Sequence, residues 1–198
     1  MPWARVVSQG GRHLGLFHCP ASGYACFMHR SGSVNLLGAA ALAITDKMIH
    51  EVTARSKLNP SASAALVVLL EFEPVGVSEL GRHLGLTQPA ATRALDALEN
   101  AGLIRRTQIG RGRAVALTSA GRRSAAMILQ ARTECLQSLV DGLGDDDRAH
   151  LNRILGRLLT TIYGQVPDSN LLCRLCDRQA CTHEQVCPVG QAARDRSG

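Results

Sequence analysis

The sequence predicts a mainly α fold with a small β-wing: a winged helix-turn-helix carried by long dimerisation helices. Three observations predict it. Apolar residues recur at helical spacing through long stretches on both sides of residues 60–118. Between them, two short helical patterns are joined by a turn at Gly85-Leu86. Two β-prone segments then flank Gly110-Arg-Gly112, a hairpin tip. A hydrophobic share of 45% with only 3% aromatic agrees, because a core of Leu, Ala, Val and Ile favours helices.

Residues 1–33 are glycine-rich and irregular, hold Arg5, Arg12 and Arg30 without an acid, and read as a disordered extension. His18, Pro20 and Gly23 interrupt any signal-peptide centre. Met28, just ahead of the first helical pattern, is an alternative start.

Residues 34–163 form the predicted domain. A helix over 34–57 has Leu36, Leu37, Ala40, Ala41, Ile44, Met48, Ile49 and Val52 as its apolar set. Pro60 opens a second helix to Phe72 that is nearly all Ala, Leu and Val, and so buried. Pro74-Val-Gly76 breaks it, and Ser78 is expected to cap a short helix to Leu84. Thr87 is expected to cap the next, where Pro89 sits in the first turn and Gly102 is the left-handed stop. In that helix Ala91, Ala94, Leu95 and Leu98 make a narrow apolar stripe. Its other face keeps Gln88, Ala90, Thr92, Arg93 and Asp96, mostly short side chains suited to close approach to a groove.

Leu103–Ile109 and Arg113–Thr118 are the strands of the wing, which would carry Arg111 and Arg113 outward. A helix over 119–142 follows, then another over 145–163 that opens on Asp145-Asp-Asp147, acids at its positive dipole end. The second has a regular stripe of Leu151, Ile154, Leu155, Leu158, Leu159 and Ile162. These long helices offer more apolar surface than so small a core can cover, which points to a homodimer. Residues 164–198, without helical period, form a cysteine-rich tail.

The charge is +6 overall, and residues 78–118 carry six arginines against Glu79, Asp96 and Glu99. A basic patch in register with a recognition helix suits double-stranded DNA. Two-fold symmetry would make the site near-palindromic. Arg93 can pair with guanine and Gln88 with adenine. Arg105 and Arg106 are either phosphate ligands or solvated strand ends, and Arg82 with His83 would meet a backbone phosphate.

Four segments carry a family resemblance: Leu86-Thr-Gln-Pro-Ala-Ala-Thr-Arg, Leu98-Glu-Asn-Ala-Gly-Leu-Ile-Arg-Arg, Gly112-Arg-Ala-Val-Ala-Leu-Thr and Thr118-Ser-Ala-Gly-Arg. Together they resemble the MarR family of bacterial transcription regulators, over roughly 34–163. The resemblance implies a homodimeric, cytoplasmic repressor released by a small-molecule effector or by thiol oxidation. It also implies base-facing roles for Gln88, Ala90, Thr92 and Arg93, and a minor-groove role for Arg113. Family wings place an Asp two residues before that arginine, where this chain has Arg111, so the usual buttress is missing and the wing gains phosphate attraction.

The tail reads Cys173-x2-Cys176-x4-Cys181-x5-Cys187-Pro188. The first pair has knuckle spacing for a tetrahedral metal, and the second is wider than a standard knuckle. Zinc, an iron–sulfur cluster and thiol–disulfide switching all fit the four thiols. Cys135, mid-helix, reads as a small buried hydrophobe, with a sensor thiol as the other reading. Met48, His50 and Phe72 are candidates for a ligand pocket between long helices and winged core. No apolar run is long enough to span a bilayer. An enzyme is not expected, since no phosphate loop and no Ser, His, Asp set is present. The rival reading is a thiol- or iron–sulfur-based redox protein, which leaves the winged core without a role.

Overall fold

The computed structural model describes residues 24–109, 112–183 and 186–197. Its elements in chain order are α1 (Tyr24–Ser56), α2 (Pro60–Phe72), β1 (Val75–Gly76), α3 (Val77–Leu84) and α4 (Gln88–Asn100). Then come β2 (Ile104–Ile109), β3 (Gly112–Leu117), α5 (Ser119–Val140) and α6 (Asp145–Tyr163). The tail adds α7 (Ser169–Leu172), α8 (Arg178–Thr182) and α9 (Pro188–Ser197). The chain divides into two compact units, Met1–Leu42 and Ala43–Gly198, and the boundary falls within the span of α1.

α2 is the centre of the second unit. Every residue from Ala62 to Leu69 is buried, and the helix touches α3, α4, α5 and β3. Its Leu66 and Leu69, and around it Leu80, Leu95, Leu98, Val115 and Ile128, are fully buried. Each such side chain contributes about 1.5–3 kcal/mol of burial, so a core poor in aromatics still holds the domain. The Asn59 carboxamide caps α2 by accepting from the Ala62 N–H at 2.9 Å.

The sheet is antiparallel, in the order β1-β3-β2. Val75 pairs with Val115, and the β2–β3 ladder runs from Ile104↔Leu117 to Ile109↔Gly112. Glu73 ties the end of α2 to this sheet: its carboxylate accepts the Leu117 N–H at 2.6 Å and pairs with Arg122. α3 ends at Gly85, whose φ of +66° is the left-handed turn into α4, a conformation glycine takes without a Cβ penalty. Gly102 closes α4 with φ +68°, as its position in the sequence predicts.

Four sequence expectations need correction. α1 starts at Tyr24 rather than Val34, so part of the expected disordered extension is helix, while residues 1–23 lie outside the described residues. Ser78 does not cap α3: Val77 is already helical and Gly76 holds the cap position. Thr87 is the N-cap residue of α4, but its side chain makes no capping bond. The tail is not irregular. It holds three helices, and α9 packs on α6, where Arg196 lies 4.1 Å over the Tyr163 ring and donates to the Tyr163 carbonyl at 3.1 Å.

No helix among the described residues is long and apolar enough to cross a membrane. Apolar side chains stay exposed on the long helices: Val34, Leu36, Leu37 and Leu42 on α1, Leu139 on α5, and Ile154, Leu155 and Ile162 on α6.

Candidate nucleic-acid interface and a cysteine cavity

The narrow stripe of α4 behaves as its spacing predicts: Ala91, Ala94, Leu95 and Leu98 are buried. That burial turns Gln88, Thr92 and Arg93 outward, all exposed. Ala90 is half-buried and, with Arg93, lines a recess against Asn59, Pro60 and Ser61 at the start of α2. Among the described residues, no acid pairs with Arg93. On the wing, Arg113 is exposed on β3 opposite Gln108, and Arg105 is exposed on β2. Arg111 lies outside the described residues.

Arg106 has another task. Its Nη1 pairs with Asp96 at 2.6 Å and Glu99 at 3.0 Å, and its own N–H donates to Glu99 at 3.1 Å. The guanidinium is mostly buried and is neither a solvated strand end nor an outward cation. It binds β2 to α4 by pairing with both acids of that helix. Arg93 is left as the cation of α4 without a carboxylate partner among the described residues, while Asp96 and Glu99 share the one guanidinium of Arg106.

His83 departs further from its expected phosphate role. It is buried, with Nδ1 3.0 Å from an Asp168 carboxylate oxygen and 2.9 Å from the Asn170 amide nitrogen. Phe72 stacks on it, ring centroids 5.0 Å apart, and Arg178 lies 4.9 Å over the Phe72 ring. Arg82 is exposed, but its Nε is 3.5 Å from Asp168 and its Nη2 3.6 Å from Glu79. Burial would raise the Asp168 carboxyl, but the Asn170 N–H and His83 bonds outweigh it and hold the group below its ordinary value. Leu171 completes the contact by packing against Gly85, so closely that a Cβ there would meet its Cδ1. The tail therefore clasps α3 and the turn of the helix pair. Asp168 and Asn170 carry no motif that a sequence reading could have found.

Among the described residues, the three suggested ligand residues have different surroundings. Phe72 is occupied by His83 and Arg178, Met48 packs against the core, and His50 is exposed. Cys135 is buried in α5.

The four tail cysteines do gather. Cys173, Cys176, Cys181 and Cys187 line one cavity of about 450 Å³ together with Arg178 and Arg194. All four are free thiols. They interact as two pairs, Cys173 with Cys176 and Cys181 with Cys187. The Cys173 bond lowers Cys176 to about 6, and the charges of Arg132 and Arg178 act in the same direction. Cys173 itself is raised by that pairing, and burial followed by its bond to Cys187 pushes Cys181 up to about 11. Among the described residues, no three His, Cys, Asp or Glu side chains are arranged to hold a metal as they stand.

A MarR-family sequence model matches residues 58–111, which span α2, α3, the turn, α4 and the first strand of the wing. The MarR fold extends beyond that segment. A MarR family protein from Bacillus stearothermophilus superposes with a TM-score of 0.61 at 21% identity, over 68% of this chain and 96% of its own. YusO from Bacillus subtilis gives 0.58 at 21% identity, over 69% and 96%. MepR, a transcription regulator of the Staphylococcus aureus multidrug efflux pump MepA, gives 0.58 at 18% identity, over 64% and 96%. No curated protein sequence matches the chain. The MarR model stops short of the cysteine tail.

Proposed function

We propose that this protein is a sequence-specific, homodimeric transcription regulator, a repressor that binds a near-palindromic operator through α4 and the wing. One observation carries the reading. α4 presents Gln88, Thr92 and Arg93 to solvent while Arg106 holds Asp96 and Glu99 of the same helix in ion pairs. A helix with short outer side chains, one amide and one free guanidinium suits the floor of a major groove. Arg113 and Arg105 extend the positive surface along the sheet. The exposed apolar residues of α1 and α6 supply the surface a dimer would bury.

Footprinting and gel shift on the protein's own promoter region at low salt test the reading, with a protected palindrome expected. Arg93→Ala should lose about 1–3 kcal/mol, roughly 5–150-fold in affinity, and relax preference at one base pair of each half-site. Arg113→Ala should weaken all sequences alike and lower the salt slope by about 1. If wild-type protein protects no palindrome at low salt, the operator reading falls.

A further inference from the structure

We propose that the four-cysteine cavity is a zinc site, and that zinc held there sets DNA affinity by fixing the tail clasp on α3. The second half rests on the regulator reading above; the first does not. Four thiols from three short segments converge on one cavity. Cys173-x2-Cys176 at the end of α7 has the spacing of a metal knuckle. Binding takes all four sulfurs as thiolates, releases the protons still held by the thiols, and leaves a centre of net charge −2 around one Zn²⁺. The cavity supplies the counter-charge: Arg178 and Arg194 line it, and Arg132 acts on Cys176. A disulfide would use the thiols two at a time and leave those guanidiniums facing a neutral wall.

The tail has little else to hold it. α7 and α8 are four and five residues long, and from Ser169 onward only Leu175 and Val189 are buried among the described residues. Segments with so small a core are commonly fixed by a metal. The two thiol pairs are half-sites, and an ion between them would draw α7, α8 and the start of α9 into one body.

That body is bonded to the DNA-reading unit. Arg178, between Cys176 and Cys181 in the chain, covers Phe72 and donates to Asn170 at 2.7 Å. Asn170 and Asp168 hold His83 of α3, and Leu171 packs on the Gly85 turn. A tail locked by zinc keeps α3 and its turn in one pose, so α4 meets the groove pre-organised.

The test uses the full-length protein. Elemental analysis after anaerobic purification should give one zinc per chain and no iron. Cobalt titrated into the metal-free protein should give thiolate charge-transfer and tetrahedral ligand-field absorption, which Cys176→Ser and Cys187→Ser each lose. Zinc should raise protection from hydrogen exchange in α3, and chelation should weaken operator binding by about 5–150-fold. Asp168→Asn should keep the cobalt spectrum while losing the zinc effects on α3 exchange and on DNA. Iron with visible bands, or no metal, overturns the zinc site. A zinc effect on α3 that survives in Asp168→Asn overturns the clasp, and so does tighter DNA binding after chelation. If no state binds DNA, the regulator reading alone falls, because cobalt spectra and exchange still decide the site and its link to α3.

Discussion

A thiol is reactive in proportion to its thiolate fraction, and the two cysteines of a hydrogen-bonded pair divide one advantage between them. Cys173 donates to Cys176, so Cys176 is the partner held near 6 while Cys173 is raised. A lowered value means that the charged form persists at lower pH. Alkylation of Cys176 by iodoacetamide in metal-free protein should therefore reach half its maximum near pH 6 and level off above neutrality. An ordinary thiol would rise only near 8.5. Cys173→Ala removes the donated bond and should move the Cys176 midpoint upward. Peptide mapping by mass spectrometry across pH 5–9 reads each site separately, with buried Cys135 as the slow internal reference. A wild-type midpoint at the ordinary value would show that the two thiols are not paired in solution.

Among the elements, the start of α5 is a close junction with the entry to β2. Thr118 caps the helix by accepting from the Gly121 N–H at 3.0 Å and donates in turn to the Gly102 carbonyl at 2.7 Å. This brings Gly121 so near the Leu103 carbonyl that a Cβ would overlap its oxygen. Gly121→Ala must push α5 away from the β2 entry, at a cost of about 2 kcal/mol. For a chain of this size that corresponds to a fall of roughly 4–8 °C in thermal midpoint, measurable by circular dichroism. An unchanged midpoint would mean that the junction can open freely.

The same scale shows what can be read from residue order. The bounds of α2, α4, α5 and α6 were legible because each buries a stripe several turns long, and only repeated turns make a period visible. α7 and α8 were not, since one turn has no period to detect. The caps misled for a related reason. Thr118 and Thr87 are the same residue before similar helices, yet only Thr118 bonds to its helix. His83 looked like a companion of Arg82 for DNA, but its partner Asp168 lies 85 residues away. Nothing local marks such a pair. The four cysteines were legible as a cluster, because their closeness in sequence survives folding, whereas the clasp that links them to α3 was not.

At the scale of the whole molecule, the long helices keep apolar side chains exposed. Ile154, Leu155 and Ile162 on α6 are each at least 43% exposed, and Leu36 on α1 is 73% exposed. Single exposed apolar residues are common, but stripes of them on long helices mark association surfaces. Dimerisation would remove that area from water at about 25 cal/mol per Å². It would also place two copies of α4 about one DNA turn apart, which turns one modest contact into a two-site grip. Ile154→Glu with Leu155→Glu puts two charges on the stripe without touching the winged core, since both side chains already face solvent. Light scattering coupled to size exclusion should give twice the 21.1 kDa chain mass for the wild type and a single chain mass for the variant. Helix content by circular dichroism should stay the same. The variant should still retard DNA at low salt, as one half-site reader, while losing the extended palindromic footprint. A variant that remains dimeric would move the interface away from α6, to the exposed face of α1.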